Sequence, residues 1–264
     1  MVRINNKRQF LFCAVMMAAG FALGQTPEAL KTEAPKAEVT KTEASKTEAP
    51  KAEALKAEAP KPDADGWISL FNGKDLTGWS ISKFGGEGEV TVENGEMTIS
   101  MGAMMSGIRY EGEFPTENYE IEIVAKRTMG QDFFAMVTFP IGKEFASYVT
   151  GGWGGNLFGI SCVNGQDASE NEFMQLVSVK SNQWYNVRVR VTKEAVECFL
   201  DGKSMLKVKR EGNTFKTRFE ADLSRPFGIA NYCCQSVIKS IRYSQLDAAG
   251  KILKPAEAQE APKK

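Results

Sequence analysis

The apolar side chains between residues 66 and 247 recur in short alternating or continuous runs, and long stripes with the helical period are missing. Short runs of this kind, separated by turn residues, are typical of β-strands. The predicted strands are 89–92, 96–100, 119–125, 133–139, 158–163, 173–179, 184–191, 195–200, 227–232 and 237–246. So many short strands in one region predict an all-β sandwich or jelly roll.

Asn-Gly and Asp-Gly dipeptides mark many of the turns, because these residues readily adopt the positive φ that tight hairpins need. They lie at 72–73, 94–95, 164–165 and 201–202. The hairpin at Asp201-Gly202 is the clearest of them. On the strand before it, valines alternate with arginines along 187–191, so the valines share one face.

The first 24 residues have the pattern of a signal peptide. Arg3, Lys7 and Arg8 precede an apolar run at 10–23, and about 14 residues is too short for a membrane span. Small residues follow, so we predict cleavage before Gln25. No later apolar run reaches about 18 residues, which predicts no membrane span in the mature protein. We therefore expect an exported protein, located in the periplasm, the cell envelope or the extracellular space.

Residues 25–65 are a low-complexity segment, and pentads such as KTEAP and KAEAL repeat through 31–65. A period of five matches neither a helical stripe nor a strand face. Almost no large apolar side chain is available to form a core, so we predict a disordered spacer. The spacer either tethers the domain, for example to the cell envelope, or is a low-complexity tail without a partner. Residues 248–264 repeat this composition and are predicted to be a disordered tail.

The charge balance and the lack of histidine exclude several functions. The chain carries 33 basic and 33 acidic residues, whereas a general nucleic-acid-binding protein has a basic excess. With no histidine in 264 residues, a Ser-His-Asp triad, a Cys-His dyad and a histidine-ligated zinc site cannot form within the chain. Any acid-base chemistry must therefore use other groups, and carboxylates are the first candidates.

The start of the domain, GWISLFNGKDLTGW at 66–79, resembles the start of the 3-keto-disaccharide hydrolase domain family. Further similarity lies in VENGE at 92–96, NYEIE at 118–122, QWYNVRV at 183–189, LDGK at 200–203 and IKSIRY at 238–243. The resemblance covers nearly all of 66–247. It implies a concanavalin A-like (laminarinase or lectin-type) jelly-roll β-sandwich. It also implies an exported carbohydrate-active domain that cleaves a glycosidic bond next to a 3-keto sugar.

The residues that carry this resemblance are interpreted as packing residues. Trp67, Leu70, Phe71, Leu76 and Trp79 are large apolar side chains, which usually form core when they lie in strands. The middle of the domain departs from the family pattern, so no catalytic residue of the family is carried over. Candidate site residues there rest on their own chemistry.

Trp153 is a candidate substrate-binding residue. Glycines at 151, 152, 154 and 155 leave it with little neighbouring side-chain cover. An exposed indole can stack on the apolar C–H face of a sugar ring. The alternative is a tryptophan folded onto the core, with glycines allowing close backbone approach.

Asp167, Glu170 and Glu172 are candidate catalytic carboxylates, since glycoside cleavage commonly needs two carboxyl groups about 5–9.5 Å apart. If the segment is extended, Glu170 and Glu172 point to the same side. Asn164, Asp167 and Glu170 could instead bind calcium through oxygen ligands. A solvated acidic loop is the third interpretation.

Asp132, before the apolar run 133–139, is a fourth candidate catalytic carboxylate. Arg109 and Arg225 lie near predicted strand ends and are candidate substrate-binding residues. Single charged residues in such places more often form structural ion pairs.

Glu120 and Glu122 share one face of a predicted strand and are also candidate substrate-binding residues. Laminarinase-type enzymes carry E-x-D-x-x-E at such a strand, but Ala125 stands where the last glutamate should be. This departure disfavours the standard two-step mechanism. The alternative is an exposed polar strand face.

Cys162, Cys198, Cys233 and Cys234 remain after removal of the signal peptide. Four thiols in an exported protein suggest disulfides, with three pairings if all of them bond. Adjacent Cys233 and Cys234 would point to opposite faces of a strand and should not bond to each other without strain.

The sequence therefore supports a hypothesis with two alternatives. The hypothesis is an exported, tethered jelly roll that hydrolyses 3-keto-disaccharide-type substrates with carboxylate residues. The first alternative is a non-catalytic glycan-binding, lectin-like module. The second is a structural module of the cell envelope. A carbohydrate ligand or substrate is expected in the first two cases, and no cofactor is required, although calcium is one option.

Overall fold

The computed structural model describes residues 60–255. The predicted signal peptide (1–24), most of the predicted spacer (25–59) and the end of the predicted tail (256–264) lie outside the described residues. Within 60–255, no helix is both long and apolar enough to cross a membrane.

Fifteen strands and one short 3-10 helix, η1, make up the secondary structure of the described part. They are β1 (Trp67–Ser69), β2 (Trp79–Ile81), β3 (Val90–Glu93), β4 (Glu96–Ile99), β5 (Met105–Tyr110), β6 (Tyr119–Gly130), β7 (Met136–Ile141), β8 (Glu144–Gly152), β9 (Leu157–Ser161), β10 (Gln175–Leu176), β11 (Tyr185–Val191), β12 (Ala195–Leu200), β13 (Lys203–Lys209), η1 (Phe219–Ser224), β14 (Gly228–Tyr232) and β15 (Cys234–Gln245).

The strands form two antiparallel sheets. Sheet A has the order β13-β12-β11-β6-β15-β4-β3, and β1 also pairs with β15. Sheet B has the order β10-β9-β8-β7-β14-β5-β2. Many neighbours in each sheet are distant in sequence, as in a jelly roll rather than a simple meander. The prediction of an all-β, concanavalin A-like jelly-roll sandwich is confirmed.

The main hydrophobic core lies between the two sheets. Ile121 and Ile123 of β6 and Val137 and Phe139 of β7 belong to it and are fully buried. Strand alternation sends every second side chain into this layer. Each large side chain buried there contributes about 1.5–3 kcal/mol through removal from water.

Most of the N-terminal motif packs into this core, as predicted. Leu70, Phe71 and Trp79 are buried in it and Leu76 is partly buried against it, whereas Trp67 is buried outside this cluster, with the Arg242 guanidinium 4.4 Å from its ring centroid. The indole N–H of Trp79 donates a 2.8 Å hydrogen bond to the carbonyl oxygen of Leu70. The residues of this motif therefore have a structural role in packing the sandwich.

The predicted hairpin at 201–202 joins β12 to β13. Asp201 has φ of 49° and Gly202 has φ of 78°, so both central residues are in the left-handed region that a type I′ turn requires. The predicted strand 173–179 is reduced to Gln175–Leu176. The predicted strand 133–139 begins only at Met136, because residues 132–135 form the loop that precedes β7.

The chain after residue 247 turns back onto the domain. Leu246 forms an isolated β-bridge with Ile252. The backbone N–H of Leu253 donates to the carbonyl oxygen of Gln245 at 2.9 Å. Residues 248–255, which belong to the predicted tail, thus contact the last strand.

The four described cysteines are free thiols, so the expectation of disulfides is wrong. Cys198 is buried in the core, whereas Cys233 forms the turn between the two sheets with φ of 43°. The Cys234 thiol donates to the carbonyl oxygen of Phe133 at 3.0 Å, and burial raises its pKa to about 11. Cys198 and Cys234 therefore contribute to the fold as buried thiols, through packing and hydrogen bonding and not through disulfides.

Ion pairs between neighbouring strands cover part of the outer face of sheet A. The Glu120 carboxylate is completely buried and accepts hydrogen bonds from Arg188, at 2.8 Å, and from Arg190. Glu122 accepts a 2.8 Å hydrogen bond from Arg242 on β15. These pairs follow from the strand register, which places each glutamate beside an arginine on the neighbouring strand.

We predict that Glu120→Gln lowers the free energy of unfolding by about 3 kcal/mol, because two arginines lose a buried anionic partner. Urea denaturation measures this change. The matched control is Glu197→Gln, whose partner Lys207 is 61% exposed and which should cost less than about 1 kcal/mol. Equal losses in the two variants would contradict the structural role of Glu120.

Candidate functional site

The outer face of sheet B carries a second, smaller hydrophobic cluster. Alternate residues of its strands point away from the main core and form this cluster. Its members are Met105, Met136, Val149, Leu157, Ala168, Ala221 and Ala230, with Phe84, Phe133 and Tyr232 packed against them. Unlike the outer face of sheet A, this surface is therefore apolar over much of its area.

A row of hydroxyl groups lies beside the cluster. The register places Thr138 of β7 opposite Ser147 of β8, and Ser147 opposite Ser161 of β9. The Thr138 and Ser147 hydroxyl oxygens are 2.9 Å apart and hydrogen-bonded. These three side chains are buried, and the Ser161 hydroxyl donates to Asp167, so the row is part of the internal hydrogen bonding of this face.

The helix η1 packs over this face and forms one wall of a cleft. A Cβ at Gly228 would lie 2.7 Å from the Ser224 carbonyl oxygen, so glycine is needed for η1 to approach β14. The cleft between η1, the sheet and the adjoining loops has a volume of about 780 Å³. This volume is within the range of small-molecule binding sites.

Large apolar side chains line the cleft and stay exposed. Met104 is 55%, Trp153 44%, Phe219 83% and Leu223 46% exposed. Clustered exposure of this kind is unusual for a water-facing surface and marks an interaction site. These residues come from three separate segments, since Phe219 and Leu223 both belong to η1, so only the fold brings them together.

The Trp153 loop presents its indole to the cleft through an unusual backbone. Trp153 has φ of 47°, a left-handed conformation that is costly for a bulky residue. Gly151, Gly154 and Gly155 also have positive φ. The glycines allow the sharp turn that leaves the ring partly exposed rather than folded onto the core.

Asp132 lies in the lining next to this loop. One carboxylate oxygen accepts the Phe133 N–H at 2.8 Å, and the other accepts the Gly154 N–H at 3.4 Å. Among residues 60–255, no lysine or arginine forms an ion pair with it. Backbone N–H groups therefore stabilise the negative charge of Asp132, and its side chain lines the cleft.

Arg127 supports Asp132 from inside the sandwich. It is only 4% exposed, and its guanidinium donates to the carbonyl oxygens of Asp132, at 3.2 Å, and Val179, at 3.0 Å. A Cβ at Gly155 would lie 3.0 Å from this guanidinium. Burying a cation costs free energy unless its donors are satisfied. Here one donor fixes the loop that carries Asp132 and another binds Val179, while the buried Nε–H has no partner in the described structure.

The other charged lining residues are paired. Arg218 forms ion pairs with Asp167 and, at 3.0 Å, with Glu220. Asp167 also accepts a hydrogen bond from the Ser161 hydroxyl. The hydrogen bond from Arg218 holds the pKa of Glu220 below its usual value. The Glu220 charge is thus compensated.

Asp222 is compensated in the same way at the other end of η1. Arg225 lies 2.7 Å from its carboxylate. The Arg225 Nε–H also donates to the Thr217 hydroxyl at 2.9 Å. Of the three lining carboxylates, Asp132, Glu220 and Asp222, Asp132 is therefore the one that forms no ion pair in the described structure; the nearby Arg127 guanidinium binds its backbone carbonyl oxygen instead.

The structure brings some of the predicted site residues together. Asp132 and Trp153 both line the cleft, and Asp167 lies behind the lining as the anchor of Arg218. Arg225 pairs with Asp222 of η1. Arg109 is on the same sheet but is engaged by Glu111 at 2.7 Å.

The remaining predicted residues lie elsewhere. Glu170 and Glu172 are exposed in a turn, not in the extended segment that would align them. The side chain of Asn171 anchors this turn by donating to the Ile160 carbonyl oxygen at 2.9 Å. Glu120 and Glu122 are on the outer face of sheet A, so the core separates them from the cleft.

The calcium alternative does not fit the donor groups at this turn. Asp167 is used by Arg218 and Ser161, and the Asn164 amide is bonded to Asn213 and Thr214. Residues 60–255 contain no group of three or more acidic or cysteine side chains arranged to hold a metal ion.

Sequence reasoning missed several lining residues. Arg218, Phe219 and Glu220 belong to a segment without strand periodicity, and Met104 and Tyr232 resemble ordinary strand residues. The sequence offers one local signal for these residues. The large apolar side chains of Phe219 and Leu223 stand among charged residues in the segment that forms η1. Their convergence depends on the pairing of β14 with β5 and β7.

Comparison with known proteins gives a family match. The model of the 3-keto-alpha-glucoside-1,2-lyase-like domain matches residues 66–233. Similar solved structures include the Crh5 transglycosylase in complex with NAG, with 14% identity and a TM-score of 0.49, over 73% of this chain and 89% of that one. Domain 4 of AbnA, a GH43 extracellular arabinanase from Geobacillus stearothermophilus, has 16% identity and a TM-score of 0.45 over 73% and 97%. None of the curated proteins matches the chain.

We predict that Arg218→Met raises the pKa of Glu220 toward its ordinary value, since Arg218 is the main cause of the lowering. A lowered folded-state pKa stabilises the fold above the unfolded pKa, and this stabilisation is lost as pH falls through the folded value. Carboxyl NMR titration measures the shift. The control is Arg109→Met, which should affect Glu111 and leave Glu220 unchanged; an unchanged Glu220 in Arg218→Met would contradict the pairing.

Proposed function

Because the chain belongs to the 3-keto-alpha-glucoside-1,2-lyase-like domain family, a glycosyl hydrolase-like and carbohydrate-active family, we propose that its cleft cleaves the glycosidic bond of a 3-keto glucoside. The observation that carries the proposal is Asp132, a cleft carboxylate that forms no ion pair and lies beside the exposed indole of Trp153. Histidine, the usual catalytic base, is absent from the sequence.

The chemistry of an oxidised sugar suits one carboxylate base. A carbonyl at C3 acidifies the hydrogen on C2, and Asp132 takes this proton. The electron pair left on C2 forms the C1=C2 double bond, and the bond between C1 and the leaving oxygen breaks. Addition of water across the double bond in a later step completes overall hydrolysis. An unoxidised glucoside lacks the acidified hydrogen and is not a substrate for this step.

The leaving oxygen needs a proton, and Tyr232 is a suitable donor. Its phenol lines the cleft, and its ring centroid lies 5.6 Å from that of Phe133, the residue after Asp132. Burial raises the pKa of Tyr232, so the phenol stays protonated at neutral pH. Proton return from Asp132 to the tyrosinate resets both groups.

Sugar binding uses the groups around Asp132. Trp153 supplies an apolar ring for the C–H face of the sugar. Arg218 supplies hydrogen-bonding groups on the same side of the cleft, whereas the Ser147 and Ser161 hydroxyls are buried and bonded to Thr138 and Asp167. The pairing of Arg218 with Asp167 keeps its guanidinium in place.

A second candidate function is glycan binding without turnover. It is favoured by the ion pairs of Glu220 and Asp222, which leave a single free carboxylate in the cleft. The two-carboxyl arrangement of ordinary glycosidases is then missing. Binding of glycans without cleavage of any 3-keto substrate would support this candidate.

The proposed location rests on the pattern of the N-terminal sequence. We propose that residues 1–24 direct export and that the spacer of residues 25–65 holds the domain away from the cell envelope. Fractionation of cells that produce the full chain tests this location, and a purely cytosolic product of full length would contradict it.

We predict that Asp132→Asn lowers kcat on a 3-keto glucoside by about 10²–10⁴-fold, the usual contribution of a general base. The asparagine oxygen can still accept the Phe133 N–H, so the loop should keep its geometry. Chromatography of the released aglycone measures the rate. The control Glu172→Gln, at an exposed position outside the lining, should retain wild-type kcat; an active Asp132→Asn variant would refute the role of Asp132.

We predict that Trp153→Ala weakens sugar binding about 10-fold or more, because stacking on the ring is lost. Isothermal titration calorimetry with an unoxidised glucoside measures binding without turnover. The matched control is Trp184→Ala, because Trp184 is partly buried and packs against Lys126, 4.1 Å from its ring centroid, outside the cleft. Equal effects of the two substitutions would argue against a binding role for Trp153.

A further inference from the structure

The two sides of the cleft differ in polarity, and the strand order of sheet B separates them. On the side of β8 and β9 lie the exposed indole of Trp153 and, beneath the surface, the buried hydroxyls of Ser147 and Ser161. Arg218 is on this side too, since its partner Asp167 is hydrogen-bonded to Ser161. This side also contains Asp132 and holds the sugar in the proposed function.

The opposite side, over β14, β5 and β2, is apolar. Tyr232 ends β14, Met105 begins β5, and Met104 precedes it. Phe84 follows β2. Leu223 of η1 is on this side as well, because its carbonyl oxygen accepts a 3.4 Å hydrogen bond from the Ser82 hydroxyl.

This apolar side offers few partners for sugar hydroxyls. Among its lining side chains just named, Tyr232 alone carries a polar group. The nearby backbone groups are already paired: the Met104 carbonyl oxygen accepts the Cys233 N–H at 3.0 Å, and the Gly85 N–H donates to Glu87 at 2.9 Å. Sugar hydroxyls buried there would lose their hydrogen bonds with water and gain none, which is unfavourable.

We infer that the leaving group of the substrate is an apolar, ring-sized aglycone rather than a second sugar. This inference rests on the proposed function. The sugar ring occupies the polar side beside Asp132 and Trp153, and the aglycone extends across Tyr232 onto Met104, Met105 and Phe84. Methionine side chains are flexible and polarisable, so this surface accepts aromatic or alicyclic groups of different shapes.

The test compares two substrates with leaving groups of similar basicity: the 3-keto forms of benzyl α-glucoside and of maltose. We expect kcat/KM for the benzyl compound to be at least about 10-fold higher, from the apolar area that it buries. Cleavage of both at equal rates, or a preference for the maltose derivative, would overturn the inference and leave the proposed function intact.

Two exposed residues of the apolar side allow a variant test. Met104→Gln and Leu223→Gln should reduce the benzyl preference several-fold, because kcat/KM for the benzyl compound falls when apolar contact is lost. The matched control is Met129→Gln, since Met129 is 56% exposed but lies at the end of β6 outside the lining. An undiminished benzyl preference in both cleft variants would also overturn the inference.

A binding measurement keeps the inference falsifiable if neither substrate is cleaved, an outcome that would count against the proposed function itself. Calorimetry with unoxidised benzyl α-glucoside and maltose should then give at least about 10-fold tighter binding of the benzyl compound. Equal or weaker binding would overturn the aglycone assignment independently of catalysis.

Discussion

Each sheet of a two-layer sandwich has one face that the core does not cover, and the two sheets of this domain solve that constraint differently. Sheet A covers its outer face with ion pairs, in which the buried Glu120 carboxylate binds Arg188 and Arg190. Sheet B covers its outer face with a small apolar cluster and with η1, which reaches only part of it. The cleft is the uncovered remainder, so its existence depends on how η1 seats against Gly228.

The groups in the cleft are held by interactions that reach through the sandwich. Arg127 projects from sheet A and binds the backbone of the loop that carries Asp132. Asp132 in turn accepts the Gly154 N–H beside Trp153. The proposed base, Asp132, and the proposed stacking ring of Trp153 are thus connected to one buried cation. The cost of burying that cation and of the left-handed backbone at Trp153 is balanced by packing elsewhere, a pattern that functional sites commonly show.

The fold was largely predictable from the sequence, and the site only in part. Strand alternation and the Asp201-Gly202 turn lead directly to the observed hairpin, because both signals are local. Asp132 and Trp153 could be identified because a carboxylate at a strand end and a tryptophan among glycines are also local features. Arg218 and Tyr232 could not, because their place in the cleft depends on strand pairings between distant segments. Glu120 and Glu122 show that a local feature can also mislead. Their same-face spacing suggested a binding site, but the neighbouring strands bring arginines beside them and the glutamates form ion pairs.

The central claim of this account is that sugar binds on the outer face of sheet B, between Trp153 and Asp132. A crystal structure of the Asp132→Asn variant soaked with a 3-keto glucoside tests it most directly. The account predicts electron density for the sugar ring against the Trp153 indole, with C2 facing residue 132. Density on the outer face of sheet A, or a sugar bound elsewhere while the cleft holds only solvent, would contradict it.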